Sequence, residues 1–271
     1  MVEKEALGFL GGGNMGEALI KGLLNTSIVP PHKILVFDVS NERLNYLKKM
    51  YQITPCATLE EMVSPCGTII IAVKPQTMEP VLKQLGTCKN MRALVISIAA
   101  GFSLERLAGS LPEKTPVIRV MPNTPALVQE GTSALARGEN VSEQQMDFAL
   151  KIFNSVGKAI IVEEKWMDAV TGLSGSGPAY VLMLMESLMD AGVLEGLPRQ
   201  VSRELVLQTF LGTAHMVLET GKHPAELKDL ITSPGGTTIE GLKVLEERGT
   251  RGALMQAVRA ATLRSRELGE S

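Results

Sequence analysis

Leu7-Gly8-Phe9-Leu10-Gly11-Gly12-Gly13-Asn14-Met15-Gly16 decides the fold. An apolar run ending at Leu10 leads straight into Gly11-x-Gly13-x-x-Gly16, and a helical apolar pattern over residues 15–24 follows. This order of strand, glycine turn and helix belongs to dinucleotide-binding βαβ units. Gly11 makes the tight turn, Gly13 lets a pyrophosphate approach the backbone, and Gly16 lets the helix pack on the strand. The glycine spacing alone is a weak signal. A second strand over 33–38, ending in Asp38, completes the unit and makes the signal strong.

Outward from this unit, short apolar runs alternate with helical patterns. Strands are expected at 6–10, 33–38, 52–55, 68–73, 93–98, 117–120, 132–136 and 159–162, and helices at 15–24, 41–50, 59–63, 77–85, 104–108 and 143–155. Thr68-Ile-Ile-Ile-Ala-Val73 and Leu94-Val-Ile-Ser-Ile98 are continuous runs, which mark strands of a parallel sheet covered on both faces. Thr58-x-x-Glu61 and Ser142-x-x-Gln145 have the spacing of capping boxes. The expectation is α/β, a doubly wound Rossmann-type domain over residues 1–164. Strand patterns then stop. Helices are expected at 178–194, 198–219, 225–231, 238–246 and 251–268, giving an all-helical domain over 165–271. The helix containing Tyr180-Val-Leu-Met-Leu-Met185 is apolar on nearly every side and must be buried all round, which a partner subunit would provide.

Composition excludes several classes of function. The chain has 271 residues, 45% hydrophobic and 21% charged, as in ordinary globular proteins. A net charge of −2 and only 4% aromatic residues argue against nucleic acid and anionic membranes as partners. No apolar run is long enough to span a bilayer, and the first strand begins too early to leave room for a leader. Cys56, Cys66 and Cys88 lack CxxC spacing and neighbouring histidines, so they read as reduced thiols and not as a metal site; a cytoplasmic location is expected. His32, His215 and His223 have no triad arrangement around them and read as structural.

Ligands of open α/β sheets lie beyond the carboxyl ends of the strands. The segments there are Asp38 with Ser40, Ala72-Val73-Lys74-Pro75, Ile98-Ala99-Ala100 and Met121-Pro122-Asn123-Thr124-Pro125. An acidic Asp38 favours a ribose 2′-hydroxyl and hence NAD, whereas Ser40, Asn41 and Arg43 could hold a 2′-phosphate; both cofactors remain open. Ser40 and Asn41 also suit a helix cap, Lys74 a solvated loop, and Asn123 a turn.

Two glycine-rich stretches punctuate the helical half. Ser233-Pro234-Gly235-Gly236-Thr237-Thr238 opens a helix whose first N–H groups could bind an anion, or simply caps it. Gly172-Leu-Ser-Gly175-Ser-Gly177-Pro-Ala-Tyr180 resembles a segment of the β-hydroxyacid dehydrogenases, but Val181 stands where those enzymes carry a catalytic lysine, which disfavours their chemistry. With both stretches read, the chain resembles the pyrroline-5-carboxylate reductase family over essentially its whole length. Gly-Gly-Gly-Asn-Met at 11–15, Arg-Val-Met-Pro-Asn-Thr-Pro at 119–125, Thr-Gly-Leu-Ser-Gly-Ser-Gly-Pro-Ala-Tyr at 171–180 and Ser-Pro-Gly-Gly-Thr-Thr at 233–238 carry the resemblance.

The resemblance implies hydride transfer from NADPH or NADH to the imine carbon of 1-pyrroline-5-carboxylate, giving L-proline, with no metal. It implies a homodimer built through the helical domain, with larger rings of dimers in many members. Cofactor contacts are implied at Leu10, Gly11, Gly12, Gly13, Asn14 and Met15, near Asp38 and Ser40, at Ala72, Val73, Lys74 and Pro75, and at Ile98, Ala99 and Ala100. Substrate contacts are implied at Ser233, Gly236, Thr237, Thr238 and Glu164, with Thr238 placing its hydroxyl against the ring nitrogen. Asp38 departs from the small polar residue that many members carry. A reductase for another small imine or ketone, and a dinucleotide-binding regulator, are the competing readings.

Overall fold

The computed structural model describes residues 5–88 and 91–270, the last without its side chain. Eight strands form one sheet: β1 (Ala6–Leu10), β2 (Ile34–Phe37), β3 (Thr54–Pro55), β4 (Cys66–Ile71), β5 (Leu94–Ser97), β6 (Val117–Met121), β7 (Gly131–Arg137) and β8 (Gly157–Ile161). Their order is β3-β2-β1-β4-β5-β6-β7-β8. Strands β1 to β6 run parallel, in the doubly wound arrangement expected from the alternating pattern. Between them run α1 (Asn14–Asn25), α2 (Asn41–Tyr51), α3 (Leu59–Val63), α4 (Met78–Thr87) and α5 (Leu104–Gly109), and α6 (Glu143–Asn154) links β7 to β8.

The last two strands depart from the all-parallel expectation: β7 runs antiparallel to β6, and β8 runs parallel to β7. Only residues 122–130 join β6 to β7, and a parallel crossover needs roughly a dozen or more. A tight helical turn, Thr124–Val128, fills that span and reverses the chain.

Both faces of the sheet are covered, as the continuous apolar runs require. Ile34, Val36, Ile70 and Ile96 point into one core with Leu19, Leu23, Ile152 and Phe153 of α1 and α6. Leu35, Ile69, Ile71 and Val95 point into the other with Met62, Met78, Leu82 and Leu107 of α3, α4 and α5. Fully burying a side chain such as Ile70 or Phe9 contributes about 1.5–3 kcal/mol. The three cysteines are free and lie in this interior. Burial, with a lesser contribution from Cys56 at Cys66 and from Glu61 at Cys56, pushes the Cys66 thiol up to about 12 and that of Cys56 to about 11, which disfavours the reactive thiolate at both.

The helix starts are set by the residues expected to cap them. Ser142 and Gln145 form a full capping box. Thr58 accepts the Glu61 N–H at 3.2 Å, but Glu61 reaches back one residue further, to the Ala57 N–H at 2.8 Å. Ser40 caps α2 in the same way, and Ser103, which the sequence pattern did not single out, caps α5.

Beyond β8 follow a short α7 (Met167–Val170), a single π-helical turn at Thr171–Gly175, then α8 (Gly177–Leu194), α9 (Arg199–Thr220), α10 (Pro224–Leu230), α11 (Thr237–Glu247) and α12 (Thr250–Glu270). Packing divides the chain differently from the expected boundary after Glu164. One compact unit holds the residues up to Ser176 together with those from Ala260 on; the other is Gly177–Arg259. The physical reason lies in contacts the sequence pattern does not display. The hydroxyl of Ser265, in α12, donates to Asp168 at 2.8 Å, and the backbone of Leu268 lies against Gly101.

The unit Gly177–Arg259 has almost no interior of its own. Ser202 and Leu227 are its only buried residues, while Leu182, Met183, Leu188, Leu205, Leu211 and Leu218 are all more than half exposed. A self-sufficient domain of about 80 residues would bury far more of its surface.

Candidate functional site

Sheet register explains why the expected cofactor segments converge. Leu10 pairs with both Phe37 and Ile71, Ile71 with Ser97, and Ser97 with Arg119. The strands therefore reach one level together, and the residues that follow each of them emerge side by side. They line a cleft of about 530 Å³, formed by Gly13, Asn14 and Met15, by Ala72–Pro75, by Ile98–Ala100 and by Met121 and Pro122. Leu10, Gly11 and Gly12 are buried beneath this cleft instead of lining it, and Asp38 and Ser40 lie after β2.

The glycine loop has the shape needed for a phosphate cradle. Gly11 has φ +97°, and a Cβ there would stand 2.8 Å from the Ala72 carbonyl oxygen, so the tight turn excludes any side chain. At Gly13 no atom lies within 4 Å of the position a Cβ would take. Gly13 begins α1 without a side-chain cap, leaving the first N–H groups of the helix directed outward. A dinucleotide's pyrophosphate fits this arrangement: backbone donors, a helix N-terminus and room to approach.

Next to the loop lies a network that sequence reasoning did not find. Asp38 accepts the Gly12 N–H at 2.7 Å and the Ser40 N–H at 2.9 Å, using both carboxylate oxygens. Arg43 donates to the Gly12 carbonyl and, more weakly at 3.4 Å, to the Gly13 carbonyl, and it forms an ion pair with Glu17. The hydroxyls of Tyr51 and Tyr46 donate to the other Glu17 oxygen at 2.7 and 3.2 Å, and the Arg43 guanidinium stacks over the Tyr46 ring. Burial alone would raise the Glu17 carboxyl, but the hydrogen bonds from Tyr51 and Arg43 and the Arg43 charge hold it below the ordinary carboxylate range. Burial and the Glu17 carboxylate push the Tyr51 hydroxyl up to about 12. The available signal was positional: Glu17 and Arg43 each sit one turn into a helix that follows one of two adjacent strands.

The residues of the second glycine stretch lie in the helical unit. Gly235 has φ +66°, and the Gly236 N–H closes a turn onto the Ser233 carbonyl at 3.1 Å. The Ser233 hydroxyl oxygen sits 2.3 Å from where a Gly236 Cβ would be, so a side chain there would displace that hydroxyl. Gly236 begins α11 with extended backbone and no side-chain cap, and Thr237 and Thr238 form its first turn, Thr238 partly buried. Ser233, Gly236, Thr237 and Thr238 are thus gathered at one helix start.

Glu164 is held elsewhere. Its Oε1 accepts from the buried Arg119 guanidinium at 2.7 Å and from the Leu104 N–H at 3.1 Å. Its Oε2 is buried and, among the described residues, has no hydrogen-bond partner. Asn123 is a structural clasp between β7 and the π-helical turn: its Oδ1 accepts the Thr132 N–H at 2.8 Å and its amide donates to the Ser174 carbonyl at 3.2 Å. His223 caps α10 by accepting the Ala225 N–H, a structural role of the kind expected. Among the described residues, no helix is long and apolar enough to cross a membrane.

Comparison with known proteins agrees with this geometry. The family model described as pyrroline-5-carboxylate reductase dimerisation matches residues 164–268, and the one described as NADP oxidoreductase, coenzyme F420-dependent, matches residues 6–101. The chain is 47% identical to pyrroline-5-carboxylate reductase of Synechocystis sp., over 97% of this chain and 98% of that one. It is 40% identical to the Escherichia coli K12 protein of that name, over 99% and 100%. Among solved structures, a pyrroline-5-carboxylate reductase from Coxiella burnetii superposes with TM-score 0.93 at 33% identity, covering 98% of this chain and 99% of that one. The Plasmodium falciparum pyrroline carboxylate reductase with NADP bound superposes with TM-score 0.89 at 37% identity, covering 99% and 100%.

Proposed function

The chain belongs to the pyrroline-5-carboxylate reductase family and reduces 1-pyrroline-5-carboxylate to L-proline with NADPH or NADH, the last step of proline biosynthesis; we propose that its two glycine-rich helix starts divide this work. The observation that carries the division is that Gly13 and Gly236 each open a helix with no side-chain cap. Each leaves backbone N–H groups for an anion.

In this reading Gly11–Met15 hold the dinucleotide pyrophosphate, with Leu10 beneath them. Ala72–Pro75 and Ile98–Ala100 flank the nicotinamide half, and Asp38 and Ser40 face the adenosine ribose. A bound reduced nicotinamide supplies the hydride. The N–H groups of Gly236, Thr237 and Thr238, with the Ser233 hydroxyl, take the carboxylate of the substrate ring. Thr238 directs its hydroxyl to the ring nitrogen, where it orients the protonated imine. A protonated imine needs a hydride and correct placement, not a strong acid, which fits a substrate site proposed on backbone N–H groups and hydroxyls. Glu164 would reach substrate through Oε2, since Oε1 is already engaged.

The functional boundary proposed is residue 164/165, in step with the dimerisation segment that begins at 164. Residues 165–271 join two chains, and closure of such dimers into a ring belongs to the same proposal. Apolar side chains exposed on α9, α10 and α12 as well as α8 support it. A cytoplasmic setting is part of the reading, and free buried thiols fit it.

Thr238→Ala lowers kcat about ten- to a hundredfold, the scale of one lost positioning contact, and leaves dinucleotide affinity intact. Unchanged turnover in the purified variant removes Thr238 from the mechanism. The assignment as a whole is tested by following oxidation of NADH and of NADPH in parallel with synthetic pyrroline-5-carboxylate and with its six-membered analogue. A preference for the six-membered ring would move the chain to another imine.

A further inference from the structure

The glycine loop is gripped from two sides through one residue. Asp38 takes the N–H of Gly12, and Arg43 takes its carbonyl. Asp38 and Arg43 therefore stand together where the adenosine ribose of a dinucleotide belongs, one repelling a 2′-phosphate and the other suited to bind it. Charge alone does not decide between them. What decides is where the guanidinium is held, and Glu17 holds it.

We propose that Glu17, oriented by Tyr46 and Tyr51, is a positioning residue that latches Arg43 away from a 2′-phosphate and so turns the chain toward NADH. Three observations carry the latch. Arg43 has an ion-pair partner in Glu17 and a flat support in the Tyr46 ring, and its side chain is only one-quarter exposed. Glu17 accepts from Arg43 on one oxygen and from two tyrosine hydroxyls on the other, so its carboxylate cannot swing away without losing three donors. Asp38 is fixed by two backbone N–H groups, which keeps its charge at the ribose position. Glu17 is ionised at neutral pH, because its surroundings hold its carboxyl below the ordinary range. Binding a 2′-phosphate through Arg43 would require breaking this ion pair beside a fixed carboxylate. Binding a 2′-hydroxyl requires neither. Glu17 touches neither ribose nor phosphate in this arrangement; it acts only through Arg43.

The inference rests on the glycine loop being the dinucleotide site, and the experiment separates the two. Equilibrium dissociation constants for NAD⁺, NADP⁺ and 2′,5′-ADP are measured by calorimetry on the whole protein, its Glu17→Gln variant and its Tyr51→Phe variant. The parent is expected to bind NAD⁺ more tightly than NADP⁺. Glu17→Gln shifts the affinity ratio toward NADP⁺ by about tenfold, the scale of one charge-assisted hydrogen bond gained, and tightens 2′,5′-ADP in parallel. Tyr51→Phe shifts it the same way by less, which keeps the test open should the first variant fold poorly. Adding Arg43→Gln to Glu17→Gln removes the gain. An affinity ratio unchanged in both single variants, or a parent that already prefers NADP⁺, overturns the latch while leaving the dinucleotide site standing. A parent that binds none of the three probes overturns the site and the latch together.

Discussion

Gly13→Val is expected to lower dinucleotide affinity at least a hundredfold while leaving the fold intact. The position is unusual in having both properties. Its φ of −64° and extended ψ suit any residue, and no atom lies within 4 Å of the place a Cβ would take, so the first atom of the side chain meets no protein. The room it fills is the room a pyrophosphate needs above the first turn of α1. Losing two charge-assisted contacts of about 1.5–3 kcal/mol each amounts to a hundredfold or more. Titration with NAD⁺ and NADP⁺ measures the loss, and a melting temperature within a few degrees of the parent establishes that folding is spared. Affinity within threefold of the parent would mean that the pyrophosphate lies elsewhere. Gly11 makes a poor control, because at φ +97° and 2.8 Å from the Ala72 carbonyl oxygen a substitution there strains the backbone whatever the ligand does.

The second large effect is on assembly. Leu182→Glu combined with Met183→Glu should abolish the dimer and with it cooperative folding of the helical unit. Both side chains are more than half exposed on the single chain, at 63% and 57%, so nothing within the chain demands that they be apolar. Only a partner surface does. Two carboxylates carried into such an interface without partners cost several kcal/mol each, enough to lose an interface of ordinary size. Sedimentation and light scattering at micromolar concentration test this. The parent should sediment as a dimer or larger with no folded monomer, and a double variant that stays dimeric with unchanged stability would place α8 outside the interface.

The parts of the fold legible in the sequence were those set by local rules. Gly11-x-Gly13-x-x-Gly16, the continuous run Thr68–Val73 and the serine caps each act within a few residues, and the structure has the strand, turn and helix starts they imply. The direction of β7 was not legible, because an apolar strand reads alike in both directions and only the short connection after Met121 fixes its sense. The packing of α12 was hidden for a similar reason: Ser265 meets Asp168 across 97 residues of sequence, and nothing in either neighbourhood announces it. The convergence of the strand-end segments on one cleft was legible because strand ends share a level, a general property of parallel sheets. The Glu17–Arg43 pair was not, since the two residues are 26 positions apart and meet only through the side-by-side placement of two helices. The pairing of Glu164 with Arg119 was not legible either, since the two stand 45 positions apart in sequence.

The two glycine-started helices have a further consequence, for thermodynamics. Ser40, Thr58, Ser103 and Ser142 complete their helices with their own hydroxyls, whereas Gly13 and Gly236 have no side chain to offer. A helix start with glycine in place of such a cap forgoes only about a few tenths of a kcal/mol. On the proposed division of work the missing group comes from solution, so dinucleotide and ring carboxylate each stand in for a cap. By mass action, a ligand at a hundred times its dissociation constant adds about 2.7 kcal/mol of resistance to unfolding. On that proposal the protein's resistance to unfolding is tied to the supply of the two compounds it consumes.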